Sequence, residues 1–402
     1  MRSSRELAGR FQSLMPTRKR AKYNKLPEDV LKAIDESHKI HGDGLMIPAS
    51  KVPLCNSIPT GCFILDFALL GGFPEGYSTM SYGYHSTGKS THYLKAVAKF
   101  QEKHPDKVVG WIDAEGLFDS SWAAKMGVDI DRMMVGRPEY GEQAVDIMDD
   151  WMKIDSVSLV VLDSIPACVP MKVLDNSAED DTMAALPRLM GKMCSKMTSN
   201  NTAGRKKGKW TSVWLVNQFR NKVGFVLGSP LTLPGGVQIN HNPTTKLWFK
   251  LKKEHMGKDR NSIDVTDFNE QAFKIEKNKH GSSIKEGEFQ FYLNPDNDKG
   301  LPIGSYDNVP ALMTFGKKMG FIKGGGASWR LLTGIDPTTK YGRLSEIEEY
   351  LYANREEEDT LARSIIANQR TIKGIPALPP DGYLVSTLGR LVSLSDEVTE
   401  KN

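Results

Sequence analysis

Residues 82–91, YGYHSTGKST, space Gly83, Gly88, Lys89 and Ser90 as G-x-x-x-x-G-K-[ST], with Thr91 following. The chemistry this spacing suits is anion binding. Glycines let the backbone curl so that successive N–H groups point inward at phosphate oxygens, and Tyr84, His85, Ser86 and Thr87 supply the main chain between them. Lys89 is placed to reach the β- and γ-phosphates of a nucleoside triphosphate, and the Ser90 hydroxyl to ligand Mg²⁺. The bland alternative is a Gly/Ser turn that holds nothing. Against it, YSTMSYG before the loop reads as a short strand and KSTHYLKAVAKFQEK after it has helical spacing, which is the setting such a loop requires.

Three further strand-like runs end in polar groups. VSLVVLDS closes on Asp163, a carboxylate suited to holding a phosphate-bound Mg²⁺, or else a helix cap. WIDAEG carries Asp113 and Glu115, either of which can polarise a water for attack on phosphorus or cap the next helix. LVNQFR places Asn217 and Gln218 at a third strand end, where an amide can sense a γ-phosphate or simply terminate the strand. The stretch FRNKVGFVLGSPLTLPGGVQINHNPTT follows, with Arg220 and Lys222 beside Val223 and Phe225. Cations beside apolar groups suit a single-stranded nucleic-acid groove, and a surface loop of the same composition is the alternative.

The elements that must carry these groups alternate. KVVGWIDA, VSLVVLDS, TSVWLVNQ, TTKLWFKLKK and EFQFYLN read as strands separated by helical or glycine-rich stretches. That order predicts an α/β fold with a mostly parallel sheet flanked by helices, extended by closely spaced later strands in antiparallel fashion. Three segments are expected: a basic arm with a helix over 1–50, a core over 51–300, and a small mainly helical domain over 301–402. Within the last, IKGGGASW is expected to join helices. The 402 residues, 39% hydrophobic and 25% charged, are enough for two or three domains with a full core.

Net charge, +4, is too small to identify a partner, but residues 1–25 hold eight Lys or Arg against Glu6 alone, and GRKKGK at 204–209 is a second basic cluster. Cys55, Cys62, Cys168 and Cys194 form no C-x-x-C pair, which speaks against a zinc or redox motif and suits a reducing cytosol. The longest apolar stretch, FILDFALLGGF, is too short to span a bilayer. The N-terminus lacks a secretory core; its Arg-rich composition also fits an organellar transit peptide, a less favoured reading than a cytoplasmic protein.

These strand ends, in this order, resemble the RecA family of DNA recombinases. The likeness rests on IPTGCFILDFALLGGFPEGYSTMSYGYHSTGKST, on WIDAEGLFDSSWAAKMGVDIDRMMVGRPEYGEQAVDI, and on VVLDSIPACVP, VNQFRNKVGFVLGSP, PGG and EKNK at the expected intervals. It implies a RecA-type ATPase core using ATP and Mg²⁺ in a homo-oligomeric helical filament on single-stranded DNA. Pairing with a homologous duplex would follow, aided by a single-strand-binding protein and a loading mediator. It implies Glu115 as general base, Gln218 as γ-phosphate sensor, and Asp119 and Trp122 at the adenine. Lys277 and Lys279 would reach a neighbouring protomer's γ-phosphate. Met183 and Arg188 would belong to a first DNA loop, and Arg220, Lys222, Val223, Gly235 and Gly236 to a second. His85, His241 and the apparent basic insertion at 200–210 depart from the bacterial pattern and resemble a phage-encoded relative. A hexameric RecA-fold helicase and a non-catalytic filament-loading paralogue are the rival readings.

Overall fold

The computed structural model describes residues 26–42, 45–49, 52, 55–175, 184–221, 231–333 and 337–374. Its organising element is the strand Ser78–Gly83 (β1), buried at every position. Around it lie Val108–Asp113 (β2), Met133–Gly136 (β3), Val157–Asp163 (β4), Ser212–Gln218 (β5), Thr245–Lys258 (β6), Asp264–Asn278 (β7), Glu286–Tyr292 (β8) and Ser305–Tyr306 (β9). They form one nine-stranded sheet in the order β9-β8-β7-β6-β1-β5-β4-β2-β3. The six strands from β6 to β3 are parallel, and β7, β8 and β9 extend the sheet antiparallel. Strands covered on both faces need no polar alternation, which is why SLVVL and SVWLV are nearly continuous apolar runs.

Helices cover both faces. On one, Tyr93, Val97 and Phe100 of the helix Lys89–Lys103 pack on Trp111, Val161, Trp214 and Phe249. Trp214 is held between Tyr93, stacked at 5.3 Å, and Phe73, edge-on at 5.1 Å. Truncating an aromatic packed like this costs about 3–5 kcal/mol. On the other face, Val145 and Met148 of Gly141–Trp151 and Met190 and Met193 of Ala185–Lys206 pack on Met80, Val160 and Leu215.

A third cluster joins Val309–Lys318, Leu344–Ala353 and Arg355–Ile372 to Phe63 and Phe67 of the short helix Phe63–Ala68. Asn308 clamps this junction: its Oδ1 accepts from the Phe63 amide at 2.8 Å and its Nδ2 donates to the Gly61 carbonyl at 3.1 Å. The segment IKGGGASW forms no simple joint between helices. It builds a hairpin, Ile322–Gly325 with Ser328–Leu331. Residues 200–206 of the basic segment form the last turns of the helix Ala185–Lys206. The helix Glu28–His41 carries Glu28 and Asp29 in its first turn and His38, Lys39 and His41 in its last, charges that complement its dipole. The basic run over 1–25 lies outside the described residues.

Candidate nucleotide and nucleic-acid sites

The parallel register brings the chemistry to one edge. Gly83 pairs with Gln218 across β1 and β5, and Asp113 pairs with Asp163 across β2 and β4. These are C-terminal strand ends, the edge at which open α/β sheets bind ligands. β5 lies between the strands of Gly83 and Asp163, so Gln218 emerges in the middle of the group.

The loop after β1 is tightly wired. Gly88 is left-handed at φ 73°, and Ser86 also has positive φ, at 58°. Gly83 is needed for a different reason, since a Cβ there would meet the Phe249 carbonyl oxygen at 2.4 Å. Lys89 is buried, and its Nζ donates to the Tyr84 carbonyl at 2.6 Å and to Thr87 Oγ1 at 3.3 Å. Burial lowers its pKa to about 8, while Asp163 and Glu115 pull it back up. Two of the three ammonium protons therefore hold the loop, and one is left for a ligand oxygen. Ser90 hydrogen-bonds Asp163, whose pKa burial pushes up to about 6, with Glu115 and Asp113 adding to the rise. A hydroxyl beside a carboxylate that is costly to ionise is a hard-oxygen pair suited to Mg²⁺. His85 and Ser86 are exposed at the rim.

The two carboxylates of WIDAEG separate into distinct roles. Asp113 accepts from the Leu117 and Phe118 amides, each at 3.0 Å, and meets Arg137 Nε at 3.5 Å. It is occupied in shaping the following loop. Glu115 is exposed, and its Oε1 accepts from Gln218 Nε2 at 3.0 Å and from the Ser164 hydroxyl. No motif marks Ser164; its position directly after Asp163 is the available signal in the sequence. Asp119 caps the helix Ser120–Lys125, taking the Ser121 and Trp122 amides at 2.8 and 3.2 Å. Trp122 Nε1 donates to Thr91 Oγ1 at 3.3 Å, tying the indole to the start of the helix after the phosphate-binding loop.

Arg188, Gly235 and Gly236 come together. Arg188 is exposed on the first turn of Ala185–Lys206. A Cβ on Gly236 would meet Pro187 Cβ at 2.8 Å, and one on Gly191 would meet Gln238 Oε1 at 2.7 Å. The helix Gly236–His241 therefore lies against the helix of Arg188, and the two line an open groove of about 730 Å³ with Lys192 and Ser195. Lys196, at its border, is held by Asp146 and Asp149 at 2.8 and 3.1 Å. Arg220 is exposed and pairs with Thr232 at the neck of the second loop. Met183, Lys222, Val223 and Phe225 lie outside the described residues.

Lys277 and Lys279 are at the opposite edge of the sheet. Lys277 pairs with Lys246, which pairs with Met80, three residues before Gly83 and two strands away. At about 3.3 Å per residue and about 4.8 Å per strand, its Cα is about 14 Å from that of Gly83, and the phosphate-binding loop projects still further off. Its amine donates to the His241 carbonyl at 2.5 Å. Burial lowers its pKa, with Lys279 and Lys246 adding to the effect.

Among the described residues no helix is long and apolar enough to cross a membrane. The RecA N-terminal domain family matches residues 28–296. A protein named RecA from Francisella tularensis is 31% identical over 347 residues, covering 85% of this chain and 89% of that protein. A protein named RecA from Petrotoga mobilis is 34% identical over 260 residues, covering 63% of this chain and 67% of that one. A family match over two thirds of the chain, and a relative above 30% identity along 85% of it, agree with the sheet-edge geometry: the chain belongs to the RecA family.

Proposed function

We propose that this chain is an ATP-dependent DNA recombinase that assembles as a helical filament on single-stranded DNA and pairs it with homologous duplex. The observation that carries this reading is the division of groups between the two sheet edges: Lys89, Ser90, Asp163, Glu115 and Gln218 at one, Lys277 and Lys279 at the other. A phosphate-binding group at one edge, with lysines that meet no carboxylate among the described residues at the other, suits head-to-tail assembly, the interface type that generates helical polymers.

In this reading residues 83–91 cradle the triphosphate of ATP, with Lys89 on its β/γ oxygens and Asp119 and Trp122 towards the adenine. Ser90 and Asp163 hold Mg²⁺, which neutralises charge on the phosphates. Glu115 takes the proton of the attacking water. Gln218, already bonded to Glu115, is placed to trade that bond for the γ-phosphate and so to signal its presence to the loop that begins at Arg220. Lys277 and Lys279 stabilise the charge of the neighbour's transferring phosphate, as arginine fingers do. Met183, Arg188, Arg220, Lys222, Val223, Phe225, Gly235 and Gly236 form the DNA surface.

Electron microscopy of the protein on single-stranded DNA with a slowly hydrolysed ATP analogue tests this. A helical filament is the expected image. A closed ring around the DNA would replace the reading with a helicase. Filaments that never exchange strands would point to the loading paralogue, which a complete Glu115, Gln218 and lysine set argues against.

A further inference from the structure

Phe219, between the sensor Gln218 and the DNA-loop residue Arg220, has no role in the reading above, yet it touches the phosphate-binding loop twice. Its amide donates to the Gly83 carbonyl at 3.2 Å. Its ring lies 5.2 Å from that of Tyr84, tilted by 49°. From below, Tyr82 and Trp248 meet it edge-on at 5.3 and 5.9 Å, which fixes the ring in place. Tyr84 itself is 48% exposed, so the pair forms at the surface and is not demanded by core packing. Tyr84's carbonyl takes the Lys89 ammonium at 2.6 Å and the Thr87 hydroxyl at 3.1 Å.

We propose that the Tyr84–Phe219 ring contact is a positioning device that links the phosphate-holding lysine to the base of the second DNA loop, in parallel with Gln218. The path is short, hydrogen-bonded at the Lys89 end and peptide-bonded at the Arg220 end. A phosphate oxygen drawn to the free Lys89 proton sets where that ammonium lies, and the ammonium sets Tyr84 through its carbonyl. Tyr84 sets Phe219 through the rings, and Phe219 is peptide-bonded to Arg220. The two rings act through Lys89 and Arg220. Gln218 responds to the γ-phosphate, whereas this path responds to any phosphate that Lys89 holds, so it acts with ADP bound as well as with ATP.

The inference rests on the recombinase reading, and the test separates the two. ATP turnover of the full chain is measured with and without poly-dT, alongside anisotropy of labelled poly-dT with ATP and with ADP. In Phe219→Leu, turnover without DNA should stay within about twofold, while stimulation by DNA falls about 3- to 10-fold, the size expected for one aromatic pair. Tyr84→Leu should lose the same stimulation, and Tyr84→Phe and Phe219→Tyr should keep it. The double leucine variant should be no worse than the worse single, as members of one contact behave. Because Tyr84 is exposed, Tyr84→Leu remains informative if Phe219→Leu fails to fold. Wild-type turnover that responds to DNA, with both leucine variants responding equally, overturns this inference alone. Additive losses in the double variant also overturn it. Wild-type turnover that ignores DNA overturns the recombinase reading and this inference with it.

Discussion

The two edges of one sheet differ in how they hold charge. At the C-terminal edge the charged groups are engaged within the chain: Lys89 with Tyr84 and Thr87, Asp163 with Ser90, Glu115 with Gln218 and Ser164. At the opposite edge Lys277 rests on a backbone carbonyl, not on a carboxylate, and Lys279 is exposed close by. Yet that edge does not lack ion pairs. Where the helix Lys89–Lys103 ends, Glu75 is closed in by Lys103 and His104, each at 2.7 Å. Lys277 on a carbonyl beside an exposed Lys279 is the arrangement that the proposed contact with a neighbour would use. The contrast is what the proposed function turns on: charges engaged within the chain at the proposed ligand edge, and lysines without a carboxylate among the described residues at the edge proposed to meet a neighbour.

The largest expected effect comes from breaking the ligand edge. Glu115→Gln should bind ATP and assemble but lose about 10²–10⁴-fold in turnover, because the amide keeps the shape and cannot take a proton. Normal phosphate release would move the base elsewhere, although Asp113 is committed to two backbone amides. Next is the neighbour edge. Lys277→Ala/Lys279→Ala should be nearly inactive despite intact residues 83–91. Mixed one to one with Glu115→Gln on the same DNA, about a quarter of random head-to-tail interfaces combine a working Glu115 with working lysines. The mixture should exceed the sum of its parts, and the contrast between edges fails if it does not while labelled protomers show co-assembly.

A smaller effect is expected at the DNA surface. Arg188→Ala/Arg220→Ala should weaken single-strand binding and flatten its salt dependence by about 0.7 log unit per log unit of salt for each phosphate no longer neutralised. An unchanged salt slope would remove both arginines from the surface. The smallest concerns Glu75. Burial alone would raise its pKa, but His104 and Lys103 bring it down from 4.5 to about 2. A depressed carboxylate stabilises the fold above its unfolded pKa, and that contribution is lost as pH falls through about 2. Urea melts of Glu75→Gln should therefore show a shallower loss of stability between pH 4.5 and 2 than wild type. Identical slopes would mean the bridge contributes nothing.

The parallel core was legible because buried strands are apolar throughout and each ends in a polar group that water or a ligand can reach. Asp163, Glu115 and Gln218 could be found, but not told apart from caps and termini, since a cap and a ligand use the same oxygen. Only the register, Gly83 beside Gln218 and Asp113 beside Asp163, decides which face each other. The strand Asp264–Asn278 escaped because its outer half is half-buried from Val265 to Glu270, with no alternation, and buried residues alternate only at Gln271, Phe273 and Ile275. The short β3 escaped for want of length. Gln238 and Gly191 carry no motif; they meet only once two helices pack.

Gly83 bears on how sequences of this kind are to be judged. Its missing side chain makes room for the Phe249 carbonyl of the adjacent strand and for Thr87 Oγ1 of its own loop. A descendant that had ceased to bind ATP would still be obliged to retain glycine at 83, or forfeit the pairing of β1 with β6. The first letter of the signature is thus a record of architecture. Evidence of a living enzyme has to be sought at Lys89 and Glu115, which the sheet could lose and still close.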